Sequence, residues 1–273
     1  MKPTELIMHV LTWGAAILTI CALIYLIGFI LLKGLPYLKP SLFSLTYNSD
    51  NVSLMPALIS TVFMTFLSLL IAAPLGIGAA IYLAEYVRRE GRFVTFVRMM
   101  SETLAGIPSI VYGLFGMLFF VNALRWGYSL IAGAFTLSIM ILPLLMRSTE
   151  EALKSVPDVW REGSFGLGAG KLRTVFKVVL PAASPGILAG IILAVGRVVG
   201  ETAALIFTSG TVAQVPSSAL KSARTLSVHM YVLSGEGLHM GEGYATAVVL
   251  LVVVVAINAL SASLAKKIGA GDK

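Results

Sequence analysis

The chain has 273 residues, 58% of them hydrophobic and 12% charged, with a mean hydropathy of +0.92. Globular chains are usually about 45–50% apolar and about 25% charged, and a soluble fold of this size cannot hide the excess, so the solvent is lipid. A single cysteine, Cys21, excludes an intrachain disulfide and a cysteine-built metal site, and the net charge of +7 reads as basic loops held against anionic lipid, not as nucleic-acid affinity.

A helix needs about 20 apolar residues to cross a hydrocarbon core of roughly 30 Å. Six stretches qualify, at 8–32, 56–84, 103–124, 128–146, 185–208 and 244–264. The fold class is therefore an all-α membrane protein with six transmembrane helices. A β-barrel is excluded because the apolar runs do not alternate. The first stretch is too long for a signal-peptide core, so it stays as a helix. Residues 1–55 carry this helix and an outer loop, 56–264 form a five-helix core, and 265–273 form a cytoplasmic tail. The second span is interrupted by Pro74, Gly76 and Gly78, and the third opens on Gly106 and Pro108. These residues read as packing kinks or as irregular backbone at a path.

Basic residues orient the spans. One side carries Lys2, Arg88, Arg89, Arg92, Arg98, Arg147, Lys154, Arg161, Lys171, Arg173, Lys177, Lys266, Lys267 and Lys273, a total of 14. The other carries 5: Lys33, Lys39, Arg125, Lys221 and Arg224. The bias places both termini and the even-numbered loops in the cytoplasm.

The longest polar stretch on that side is 149–181. Leu153, Val156, Val159 and Trp160 are spaced for one face of a short amphipathic helix. Gly168 suits a chain reversal that needs positive φ. The run from Gly163 to Gly170 is Gly-rich, but Lys171 is followed by Leu172 and no strand precedes it. A phosphate-binding P-loop is excluded, so energy comes from another subunit or a gradient.

Arg197 falls near the centre of the fifth span, with Glu201 one helical turn later on the same expected face. A charge at that depth is costly and must face protein or a water-filled path. The pair is either a bundle-stabilising ion pair or part of an anion path, with Thr202, Thr208, Ser209 and Thr211 adding hydroxyl donors at the outer end. Glu201 would hold Arg197 and soften its grip on an anion, since conduction fails when binding is too tight. Arg147 is a second candidate for the path, or a snorkelling residue at the interface. His9, His229 and His239 lack metal-ligand spacing and read as interfacial or loop residues.

Glu162, Gly168, Leu180 and Pro181 resemble the EAA loop of ABC importer permeases, although Glu162-Gly163-Ser164 stands where that family has Glu-Ala-Ala. Three further segments resemble phosphate importer permeases: Gly196 to Ala203, Ala105 to Gly116, and Pro74 to Tyr86. Thr225 to Tyr231 resembles the PstA-type subunit more than its PstC-type partner. The resemblance implies a type I, MetI-like permease in which Glu162, Gly163, Ser164, Gly168, Leu180 and Pro181 couple to an ATPase; the substrate path expected from the charges at membrane depth is Arg197, Glu201 and Thr202, with Arg147 as the second candidate. It implies a PstC-type second permease or a second copy of this chain, a PstB-type ATP-binding dimer and a PstS-type external phosphate-binding protein. ATP and Mg would be bound by the ATPase, with no cofactor in this chain and no catalytic residue. The alternatives are a PstC-type subunit, a permease for another oxyanion, or a gradient-driven secondary transporter.

Overall fold

The computed structural model describes residues 3–87 and 91–270. The basic residues Lys2, Arg88, Arg89 and Lys273 lie outside them. All regular structure among the described residues is helical, with no strand among them. Five helical stretches are long and apolar enough to cross a membrane, or six if one bent pair counts as a single span.

The first is α1, Pro3–Gly34, which continues through a 3-10 turn to Tyr37. None of its apolar window is buried within the chain. Gly34 lets its last turn approach α11 (Met240–Ala270) closely, since a Cβ there would stand 2.4 Å from the Tyr244 carbonyl oxygen. Because α11 runs to Ala270, Lys266 and Lys267 belong to a helix and not to a separate tail.

The centre of the bundle is α5, Leu130–Lys154. Leu130, Ala134, Leu137, Ile141 and Leu145 recur at helical spacing and are all buried. They pack against Met64 and Ala72 of α2 (Met55–Ile81) and Ala194 and Val198 of α8 (Leu180–Gly200). Ser129 caps α5, its hydroxyl accepting from the Ala132 amide at 3.3 Å. The helix α2 runs unbroken through Pro74, so the expected interruption is absent. Gly76 serves packing, since a Cβ there would lie 3.0 Å from Leu145 Cβ. The second span ends in a π-helical turn, Tyr82–Tyr86.

The third span departs from expectation. Its first residues belong to a separate amphipathic helix, α3 (Arg92–Ala105), which meets the following stretch, Ser109–Ala123, at 97°. That stretch is α4 (Ser109–Gly116) extended by a π-helical segment, Met117–Ala123. The cause is Pro108, which lacks an amide and disfavours helical backbone at Ile107.

The polar stretch after α5 is shorter than expected. It holds α6 (Asp158–Gly166), and the fifth span begins at α7 (Lys171–Thr174) and runs through a π-helical turn, Val175–Val179, into α8. Leu180 and Pro181 therefore sit inside the span and not in the loop. Pro181 follows directly on the π-helical turn, where the regular i to i−4 ladder is already interrupted and a residue without an amide fits inside a continuous span.

Candidate functional site: a charged cleft and an outlying helix

A cleft of about 500 Å³ opens between α3, α5 and α8. Arg98, Arg147, Lys154 and Arg197 bring four cations to it, and Glu102, Glu150 and Glu151 bring three carboxylates. Each arrives by helix geometry. Arg147, Glu150, Glu151 and Lys154 fall on adjacent turns of α5, and Arg98 and Glu102 are one turn apart on α3.

The charges differ in how firmly they are held. Glu150 is buried; Arg98 Nε donates to its Oε1 at 2.9 Å, and Lys154 Nζ lies 2.7 Å from the same oxygen. Arg147 pairs with Glu151 at 3.0 Å, but both side chains are about two-thirds exposed. Such a pair is worth little, roughly 0–1 kcal/mol. Arg197 is half-buried on the cleft wall and forms no ion pair among the described residues. Arg147 and Arg197, far apart in sequence, thus face one space.

Glu201 and Thr202 do not join them. The helix α8 ends at Gly200, and Glu201 takes extended backbone at φ −71° and ψ 127°. The i,i+4 relation with Arg197 is lost, and no hydrogen bond or ion pair joins the two among the described residues. Glu201 instead caps the next helix, α9 (Ala203–Thr208), where its Oε1 accepts from the Ala204 amide at 3.1 Å. Its carbonyl accepts from Ser227 Oγ of α10 (Leu226–Glu236) at 2.6 Å. Thr202 Oγ1 donates back to the Gly200 carbonyl at 3.3 Å. Thr208 and Ser209 are buried and donate to the carbonyls of Ala204 and Ala223, so they are committed to the fold.

The outlying helix α6 carries Glu162, Gly163 and Ser164. Glu162 and Gly163 are exposed, and Ser164 shares a 2.8 Å hydroxyl contact with Thr174 of α7. Val159, Trp160, Phe165 and Leu167 are exposed as well, Leu167 at 92%. Leu153 and Val156 are buried beneath, so the four residues expected on one apolar face divide into two anchoring the helix base and two facing outward. Gly168 has φ +83°, as the chain reversal requires.

Arg161 and Glu85 were not legible as a pair. They lie 76 residues apart and meet at 2.7 Å, with 13% and 8% of their side chains exposed. An Arg beside the Glu162 segment and a lone Glu at the end of an apolar span were the signals available.

On the opposite face, His229 of α10 is buried and not interfacial. Arg224 Nη1 lies 3.3 Å from its Nδ1, and Tyr47 meets the imidazole edge-on at 6.1 Å. Burial first, then the Arg224 charge, pushes its pKa down to about 4 against a weaker pull from the Val52 backbone.

Long apolar helices around a charged cleft, with a short helix carried outside the bundle, define a polytopic α-helical transport protein. Residues 72–270 match the family described as the inner membrane component of binding-protein-dependent transport systems. The chain belongs to this family. It is 39% identical over 194 residues to the probable ABC transporter permease YqgI of Bacillus subtilis, covering 66% of each chain. It is 35% identical over 201 residues to the phosphate transport system permease PstA of Haemophilus influenzae, covering 73% of this chain and 71% of the relative. It is also 32% identical over 250 residues to the probable PstA of Methanocaldococcus jannaschii, covering 88% and 86%. Among solved structures, a chain of a bacterial alginate ABC transporter superposes with a TM-score of 0.68 at 15% identity, covering 98% of both chains. A chain of the inward-facing MetNI methionine ABC transporter superposes with a TM-score of 0.62 at 19% identity, covering 78% of this chain and 93% of its own. These likenesses establish the MetI-like permease fold.

Proposed function

We propose that this chain is a PstA-type permease subunit of an ATP-driven phosphate importer. The observation that carries the reading is the alignment with PstA proteins across most of the chain, from a bacterium and an archaeon alike. The cleft supports it chemically. A guanidinium presents a planar fork of donors matched to an oxyanion edge. Arg197 and Arg147 supply two such forks in a space that holds one more cation than carboxylates. Near balance suits transit, because an ion gripped too tightly is not released. Glu201 and Thr202 serve the path by fixing the break between α8 and α9.

The exposed apolar face of α6, with Glu162, Gly163 and Ser164, docks on a PstB-type ATP-binding dimer, which would hold ATP and Mg. Gly168 shapes the turn that follows, and Leu180 and Pro181 begin the helix α8 that carries Arg197. A PstC-type subunit or a second copy of this chain completes the pore, and a PstS-type protein delivers phosphate from outside. Both termini lie in the cytoplasm, as the distribution of basic residues requires.

The test is purification from native membrane followed by reconstitution. A P-loop ATPase and a second six-span chain should co-purify, and vesicles should accumulate phosphate only with ATP. Arg197→Gln should abolish uptake in a complex of unchanged subunit stoichiometry, and Arg197→Lys should restore little, because the fork is lost. Normal uptake by assembled Arg197→Gln complex would remove Arg197 from the path.

A further inference from the structure

The ion pair between Glu85 and Arg161 has the geometry of a rivet. Arg161 Nε and Nη2 donate to Glu85 Oε1 at 3.1 and 2.7 Å. Nη2 also donates to the Leu153 carbonyl at 2.8 Å, and Nη1 donates to the Val156 carbonyl at 2.7 Å and to Asp158 Oδ1 at 3.2 Å. Every N–H of the guanidinium has an acceptor. Three elements meet there: the π-helical turn that ends the second span, the last turn of α5 with the link after it, and α6 itself.

Burial makes the arrangement consequential. Breaking a buried pair strands a charge, so the two groups move together or not at all. The two carbonyls lie in the last turn of α5 and in the link just after it, where a cation also complements the helix dipole. Four residues before Leu153, α5 is already buried, and it carries Arg147 and Glu150 on the cleft wall. The helix α6 also meets α7 through the Ser164–Thr174 hydroxyl pair, and none of its own residues is buried.

We propose that Arg161 and Glu85 are positioning residues that transmit displacement of α6 to α2 and α5, and through α5 to the charged cleft. This rests on the reading of α6 as the ATPase-docking helix and names the side chains that carry its movement. In this role Arg161 acts through Glu85 and the carbonyls of Leu153 and Val156, joining α6 to the ends of two spans. Lysine keeps the charge but has no planar fork, so it cannot hold Glu85 and two carbonyls together.

The experiment uses the complete importer purified from native membrane, reconstituted in vesicles, with phosphate uptake and ATP hydrolysis measured in the same sample. The readout is phosphate imported per ATP hydrolysed, which does not depend on how much complex assembles. In Arg161→Gln this ratio should fall about tenfold, within the range by which residues on a coupling route shift coupling, while ATP hydrolysis continues. Arg161→Lys should fall almost as far. Glu85→Gln leaves the bonds to Leu153 and Val156 in place and should fall less; it carries the test if Arg161→Gln complex does not assemble. A parental ratio in assembled Arg161→Gln, or in Glu85→Gln where that variant carries the test, would overturn the proposal and leave the importer reading intact. A parental complex with no co-purifying ATPase or no ATP-dependent uptake would overturn the importer reading itself.

Discussion

His229 shows what burial does to a single titratable group. Its native pKa lies near 4, against 6.5 for the free side chain. A base with a depressed native pKa takes up its proton later than the unfolded chain does. Its contribution to stability is therefore complete above pH 6.5 and is lost as pH falls towards 4. A shift of this size corresponds to about 3 kcal/mol. Thermal unfolding of the purified protein should show the midpoint dropping between pH 6.5 and 4, and His229→Leu should flatten that dependence. Gly168 is a case where conformation alone decides. No atom lies within 4 Å of where a Cβ would stand, so space is available, but φ is +83°. A β-branched residue there is strained by about 1–2 kcal/mol. Gly168→Val should reduce phosphate uptake per assembled complex, and Gly168→Ala should reduce it less.

Among the elements, contacts between helices are set by glycines whose neighbours cannot yield. A Cβ on Gly113 of α4 would stand 2.8 Å from the Ala204 Cα of α9, which is backbone and cannot rotate away. Gly113→Ala should push α4 from α9 and cost about 1–3 kcal/mol, read as a lower unfolding temperature of the purified complex. The break between α8 and α9 marks where reading by sequence succeeds and where it stops. The long helices follow from apolar length, and the turn at Gly168 follows from residue type. Arg197 was recognisable because a charge in an apolar run demands a reason. Its supposed partner was misplaced because helical periodicity was carried past Gly200, whereas Glu201 followed by Thr202 starts a new helix with the carboxylate as cap. Local spacing cannot reveal that break, since the Ser227 hydroxyl that helps hold it comes from 26 residues away. The meeting of Arg98 with Glu150 and of Glu85 with Arg161 was hidden for the same reason: each is a product of tertiary packing.

For the molecule as a whole, orientation is the property most open to a direct check. Ser218 and Ser155 are both exposed, and the distribution of basic residues assigns them to opposite sides. In a background without Cys21, a cysteine at position 218 should react with an impermeant thiol reagent in intact cells, and one at 155 should react only after lysis. The reverse pattern would invert the topology and detach α6 from any cytoplasmic ATPase. The outermost helix raises a different matter. The first span covers 31 residues, Ile7–Tyr37, and buries none of its apolar window within the chain. At 1.5 Å per residue it is about 46 Å long, against roughly 30 Å of hydrocarbon. Tilt takes up part of such an excess, and the remainder must extend into the headgroups. The central helices cannot tilt independently, because α5 is locked by α2 on one side and α8 on the other. The helix α1 meets the rest of the chain through its C-terminal part, where Phe29 and Gly34 pack against Tyr244 of α11. With none of its apolar window buried within the chain, α1 is the span whose tilt a thicker membrane is expected to change first.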